Sequence, residues 1–301
     1  MSSVVDIGAA RAQRGSGAGA TALALARATK PRIVALFALT VLVATVLAGP
    51  LSLPRTLAIV AAAALTVAGA AALNGCLERD LDALMIRTQG RPIAAGRLSP
   101  AAGLAFGGLL TVLGVVAVWL CGGALAAAFA AAGAAYYVVV YTMLIKPRTA
   151  LSSLPGGLAG VFPLLIGWTA AGGGLDGEVV YLCLLITLWS PPHFWALAFA
   201  LKDDYLASGI PTPAVVHGDA AAARMILAAA AALVALTFVP VATGLYSAAY
   251  LAVAAPAGAL FVLPAVSLVA TLSRRTAWTI HKVSGPYLAL ILVAMVIERL
   301  V

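Results

Sequence analysis

Residues 101–145 read AAGLAFGGLL TVLGVVAVWL CGGALAAAFA AAGAAYYVVV YTMLI, without one charged side chain. The paired glycines Gly122 and Gly123 divide this stretch into two apolar runs, Ala101–Leu120 and Leu125–Ile145. Each is long enough, as a helix, to cross about 30 Å of hydrocarbon. A soluble domain would have to cover such runs with charge, about a quarter of its residues. This chain has too little: of 301 residues 63% are hydrophobic and 9% charged, and the mean hydropathy is +1.09. The pattern predicts an all-α, polytopic membrane protein whose backbone polar groups are satisfied within its helices.

Working outward, further spans are predicted near 33–49, 56–76, 153–171, 179–201, 221–240, 245–271 and 283–298, with the two central ones at 101–121 and 123–145. That makes a bundle of nine transmembrane helices. The net charge of +8 does not form a basic domain, so no nucleic-acid partner is expected. On one side of the bundle lie Arg11, Arg14, Arg27, Lys30, Arg32, Arg79, Arg87, Arg91, Arg97, Lys146, Arg148, Lys202, Arg224, Arg274, Arg275 and Lys282. Only Arg55 and Arg299 fall on the other. The positive-inside bias therefore sets the N-terminus in the cytoplasm. Residues 1–28, rich in Gly, Ala and Ser, read as a flexible cytoplasmic tail without a cleaved signal, and 29–301 as a single membrane domain. Cys76, Cys121 and Cys183 have no metal-site or disulfide spacing and read as free thiols. The long connections, 75–100 and 202–220, both lie on the cytoplasmic side, where chemistry is expected.

The first connection reads Asn74-Gly-Cys-Leu-Glu78-Arg-Asp80-Leu-Asp82, followed by Arg87 and Arg91. On a helix, Asn74, Glu78 and Asp82 share one face, while Asp80 turns away. An amide oxygen and two carboxylates in line suit a hard cation such as Mg²⁺ bridging to substrate phosphates. Arg87 and Arg91 are spaced to clamp phosphate oxygens. The plainer alternative is a solvated loop whose acids pair with its arginines. The second connection opens with Lys202-Asp203-Asp204-Tyr205 on the same side of the membrane, which favours convergence on one pocket. Lys30, Lys146 and Arg148 add positive charge around it.

Together these residues resemble the UbiA superfamily of intramembrane prenyltransferases. Asn74-x₃-Glu78-x₃-Asp82 with Arg87-Thr88-x₂-Arg91-Pro92 is similar to the superfamily's first aspartate-rich motif. Trp189-Ser-Pro191-Pro192-His193-Phe194-Trp195, running into Lys202-Asp203-Asp204-Tyr205, resembles its haem-acting branch. Three positions depart from the pattern: Glu78 stands where Asp is usual, Ala200 where quinone-precursor enzymes carry a further Asp, and the usual Asn after Thr149 is missing, with Ser153 nearest. The resemblance implies transfer of a farnesyl group from farnesyl diphosphate to haem B, giving haem O, at the plasma membrane with the active site toward the cytoplasm. It implies Mg²⁺ as cofactor, catalytic Asn74, Glu78, Asp82, Asp203 and Asp204, and metal ligation by Asn74, Glu78, Asp82 and Asp204. Diphosphate contacts fall to Lys30, Arg87, Arg91, Lys146 and Lys202. Haem A synthase or an oxidase-assembly protein is the implied partner. The alternatives are a UbiA-type enzyme acting on a quinone precursor or other lipid acceptor, and a non-catalytic haem carrier.

His193 carries two readings: a contact to haem, or a core histidine bonded to a neighbouring helix. A histidine at membrane depth is costly unless it is paired or functional. Trp195 and Tyr205 are expected beside the haem, although Trp195 also reads as packing. His217 and His281 are expected in solvated loops, and the Pro191-Pro192 pair is expected to disturb the sixth span.

Overall fold

The computed structural model describes residues 17–300; positions 1–16 of the expected tail lie outside them. Among the described residues there is no strand. Nine helices are long and apolar enough to span a membrane. They are α1 (Pro31–Ala48), α2 (Leu53–Leu77), α3 (Pro100–Gly122), α4 (Ala124–Ile145), α5 (Ser153–Ala170), α6 (Gly177–Ala200), α7 (Asp219–Ala242), α8 (Ala248–Thr271) and α9 (Arg274–Leu300).

Local chemistry sets the boundaries. Pro31 and Pro100 stand at the first turns of α1 and α3, where no backbone N–H is needed. Ser99 caps α3, and Asp176 caps α6 by accepting from the N–H groups of Glu178 and Val179. Gly123 joins α3 to α4 at φ +89°, a conformation that a side chain would strain. The helix pair α2 and α3 meets along a seam of small residues: a methyl added at Gly69 would collide with Thr111 and the Gly107 carbonyl. Close approach of this kind replaces the hydrophobic drive that lipid cannot supply. Outward, large side chains such as Leu109, Leu120 and Leu260 are exposed, as lipid contact requires.

Two segments differ from expectation. α9 begins at Arg274, not near 283. Leu272, at φ +48°, makes a brief break, and the helix restarts at once. Its polar first turns keep Arg274 and Arg275 exposed while Ala277, Ile280 and Ser284 pack inward, so average hydropathy hides the helix. His281 is therefore a half-buried helical residue and not a loop residue. His217 is exposed, as expected. Within the expected tail, Ala18–Ala28 form a helix, and Ala24 and Ala28 bury in an apolar cluster with Ala72, Cys76, Ile93 and Leu98. Ala and Leu supply the helix propensity, and that packing supplies the stability a short helix lacks alone.

α4 changes its winding part-way: Tyr136–Ile145 is π-helical. This rare geometry accumulates at functional sites. It ends on Lys146, whose N–H bonds to the Tyr141 carbonyl. α6 stays helical through Pro191 and Pro192 despite the missing N–H groups. It then breaks at Leu201, so residues 202–208 form a separate short helix. α6 packs against α5, α7 and α9, and α1 against α2, α5 and α9.

Candidate functional site

Asn74 lies in the last turn of α2, Glu78 caps that helix, and Asp82 sits in a short helix, Arg79–Leu84. Backbone bonds from the Glu78 N–H to Asn74 and from the Asp82 N–H to Glu78 carry the four-residue repeat through the junction. The three side chains therefore keep one face, and all are buried, at 2%, 5% and 3% exposure. Asp80, on the other face, pairs at the surface with Arg79.

Burying two carboxylates requires compensation, and cations from α4 and from the same connection pair with them, while a third cation precedes α1. Lys146, at the end of α4, pairs with Glu78. Arg91 Nη1 lies 2.7 Å from both carboxylate oxygens of Asp82. Lys30, held left-handed at φ +55°, donates to the Asn74 side-chain amide oxygen, Oδ1. The Asn74 amide in turn donates to Thr142 Oγ1 at 3.0 Å, and Thr142 donates to the Tyr137 carbonyl within the π-helical segment. Thr142 was absent from the expected site set; a threonine in an apolar run does not reveal which way it points until the winding of α4 is known.

The group is positive on balance. Three cations face two carboxylates and an amide, and their titration shows the crowding. Burial, then the Arg91 and Lys146 charges, pushes Lys30 down to about 7, against the pull of Glu78 and Asp82. Burial alone would raise Glu78, but Lys146 and Lys30 beside it outweigh that and hold it below its ordinary value. Lys146 moves up: its own burial works against this, and the Glu78 carboxylate prevails. A cavity of about 20 Å³, bordered by Arg27, Lys30, Gly75 and Arg91, adjoins the cluster. That is room for a water molecule.

The second connection reaches the first through one residue. Asp204 is buried, and its two oxygens accept the backbone N–H groups of Ile86 and Arg87 at 3.2 and 3.1 Å. It fixes the loop that leads to Arg91. Tyr205, beside it, packs with Met85, Ala198 and Ile210. The neighbouring charges are not brought in. Asp203 points outward and holds Arg274 at 2.6 and 2.8 Å, and that guanidinium keeps its carboxyl below the usual range. Lys202 pairs with Asp219 at 2.7 Å. Arg87 is exposed, because residues 85–97 form turns and do not continue the helix that would set it beside Arg91. Ser153, nearest to the missing asparagine, is buried, and its hydroxyl has no partner among the described residues.

Within the bundle, His193 lies against α9. Its Nδ1 is 2.6 Å from Ser284 Oγ, its ring stacks with Trp189, and the His281 ring lies tilted against it at 39°. Trp195 sits in the large apolar core, its indole N–H without a partner among the described residues. His281 and Ser284 were not anticipated as site residues.

Among the described residues no three His, Cys, Asp or Glu side chains form a closed metal cage. Asn74, Glu78 and Asp82 nonetheless present oxygen donors from one face, the donor set Mg²⁺ uses when phosphates complete its shell.

The UbiA prenyltransferase family matches residues 34–291 of the chain. The chain is 38% identical over 275 residues to the protoheme IX farnesyltransferase of Roseiflexus sp. (strain RS-1), covering 91% of this chain and 52% of that protein. It is 37% identical over 277 residues to the protoheme IX farnesyltransferase of Marinobacter nauticus, covering 91% of both. The chain thus spans about half the length of the first of these relatives and nearly all of the second. Among solved structures, a digeranylgeranylglyceryl phosphate synthase shares the fold at TM-score 0.74 and 16% identity, covering 92% of this chain and 98% of that one. A UbiA homologue from Archaeoglobus fulgidus, solved with GPP and Mg²⁺, does so at TM-score 0.64 and 14% identity, covering 90% and 99%. With most of its length matched, the chain belongs to the UbiA prenyltransferase family.

Proposed function

We propose that the chain transfers a farnesyl group from farnesyl diphosphate to a vinyl group of haem B, producing haem O and diphosphate. The supporting observation is the buried cluster in which Lys30, Arg91 and Lys146 surround Asn74, Glu78 and Asp82. Such an arrangement has an excess of cations waiting for an anion. The curated relatives, at 37–38% identity, support farnesyl diphosphate and haem B as the substrates.

Asn74, Glu78 and Asp82 hold Mg²⁺ in this reading, supported by the Archaeoglobus homologue solved with that ion. Bound Mg²⁺ stabilises the charge that grows on the departing diphosphate. Glu78 and Asp82 exchange lysine and arginine partners for the ion, and Lys146, Arg91 and Lys30 turn to the diphosphate oxygens. Asp204 keeps the Arg91 loop in place. The bond from the farnesyl C1 to oxygen breaks, and the allylic cation is captured by the vinyl terminus. Water adds to the other vinyl carbon and releases a proton, leaving a hydroxyethylfarnesyl group. The basic residues gathered on one side of the bundle support a cytoplasmic N-terminus and active site in a bacterial plasma membrane. Residues 29–301 act as one membrane domain, and an oxidase-assembly protein or haem A synthase receives the product.

The test is pigment analysis of membranes carrying the chain, supplied with haem B, farnesyl diphosphate and Mg²⁺. Haem O is expected. Prenylation of a quinone precursor with haem B untouched would transfer the reading to that acceptor class. Haem binding without any product would leave a carrier.

A further inference from the structure

The first turn of α6 carries a polar group at the opposite end of the bundle from the ion pairs. α6 has 24 residues, so Glu178 and the second connection lie about 36 Å apart. A cavity of about 490 Å³ lies here between the start of α6, the end of α7 and the connection that follows α7. Small-molecule sites typically occupy about 300–1,000 Å³. Val239, Pro240 and Leu245 give the cavity an apolar wall, and Glu178 and Tyr181 give it polar groups.

Those polar groups are incompletely bonded. Glu178 Oε1 accepts from the Tyr246 hydroxyl at 3.2 Å, and Oε2 has no donor among the described residues. Tyr181, one turn further in on the same face, is buried at 7% exposure. Its hydroxyl has no partner among the described residues. A buried hydroxyl left unbonded is costly, which argues for a ligand that bonds it. The rim also carries a cation. Both Glu298 carboxylate oxygens bind Ser247, at 2.8 and 2.9 Å, and tie the end of α9 to the connection beside the cavity. The next residue, Arg299, is exposed and forms no ion pair among the described residues, and its charge reaches Glu178. Asp176, the cap of α6, adds negative charge at the same rim.

A carboxylate with a free oxygen is complemented by the N–H donors of a cation, and a guanidinium by a phosphate. An apolar wall at a helix end, where hydrocarbon gives way to headgroups, suits an acyl chain. We propose that this cavity binds a phospholipid with a primary-ammonium headgroup, phosphatidylethanolamine. The ammonium donates to Glu178 Oε2 and the phosphate meets Arg299. Beneath them the Tyr181 hydroxyl donates to a glycerol-ester carbonyl, and an acyl chain lies along Val239, Pro240 and Leu245. A quaternary ammonium has no N–H for the carboxylate. A headgroup of net negative charge would face Glu178 and Asp176. The site is independent of which acceptor is prenylated at the other end of the bundle.

The full-length protein in detergent, stripped of lipid, is titrated with phosphatidylethanolamine, phosphatidylcholine and phosphatidylglycerol of matched acyl chains. Native mass spectrometry counts the bound lipid. Phosphatidylethanolamine is expected to bind about tenfold or more tightly than the other two and to raise the melting temperature. Glu178→Gln should erase the preference over phosphatidylcholine, and Tyr181→Phe should weaken all three lipids about threefold. Arg299→Gln, at an exposed position, should weaken phosphatidylethanolamine as well, and it carries the test if Glu178→Gln fails to fold. Equal binding of the three lipids to wild type overturns the assignment, as does a preference that survives in Glu178→Gln or an unchanged affinity in Arg299→Gln. A preference for phosphatidylglycerol overturns it in favour of an anionic lipid. Competition by free phosphoethanolamine at the affinity of the whole lipid overturns it in favour of a soluble zwitterion.

Discussion

Asp203 and Asp204 are adjacent in the chain and live in different surroundings. Asp204 is buried and binds two backbone N–H groups of the first connection, whereas Asp203 faces outward and pairs with Arg274. The same contrast separates the two connections as wholes. Between Asn74 and Arg91, Glu78 and Asp82 are buried, and their cations are Lys146 from the end of α4 and Arg91 from further along the same connection; of the acids only Asp80 lies at the surface. From Lys202 to Asp219 most of the charge is accessible, paired locally or with α9. An exposed pair contributes little, because water and salt screen it. A buried carboxylate persists only where cations or donors compensate it, so burial separates the acids that build the site from those that decorate the surface.

That contrast can be broken by mutation. Removing the metal with EDTA should abolish turnover, and Asp82→Ala should lower it by about 100-fold or more; appreciable activity in either condition would detach catalysis from the first connection. Glu78→Gln keeps the shape, loses the charge opposite Lys146, and should cost about tenfold or more in turnover with Mg²⁺ titration shifted upward. Asp204→Asn replaces one acceptor oxygen with a donor facing a backbone N–H. It should raise KM for farnesyl diphosphate about tenfold while altering kcat less; an unchanged KM would remove its loop-setting role. The smallest effect belongs to Asp203→Ala, which should leave turnover within about twofold and thermal stability unchanged, as surface substitutions do. A large loss there would mean that the exposed acid moves inward during the reaction.

The spans were legible because hydropathy registers lipid contact directly, and the Asn74, Glu78 and Asp82 face because a four-residue repeat survives the helix junction. What sequence left hidden depended on local geometry. The start of α9 was obscured by Arg274, Arg275, His281 and Lys282, whose polarity reads as a loop although one face of that turn packs inward. Arg87 was misplaced beside Arg91 because spacing assumes a helix, and residues 85–97 form turns. The winding of α4 at Tyr136–Ile145 decides where Thr142 points, and nothing in an apolar run announces it. Which of Asp203 and Asp204 faces inward depends on the break at Leu201, where α6 gives way to the next short helix.

Whether two separate connections form one diphosphate site is tested most directly by a double-mutant cycle. Affinity for farnesyl diphosphate with Mg²⁺ is measured for wild type, Asp82→Asn, Asp204→Asn and the double variant. Residues sharing one network should couple by about 1 kcal/mol or more. Losses that simply add would mean that the two acids serve independent sites, which contradicts a single shared one.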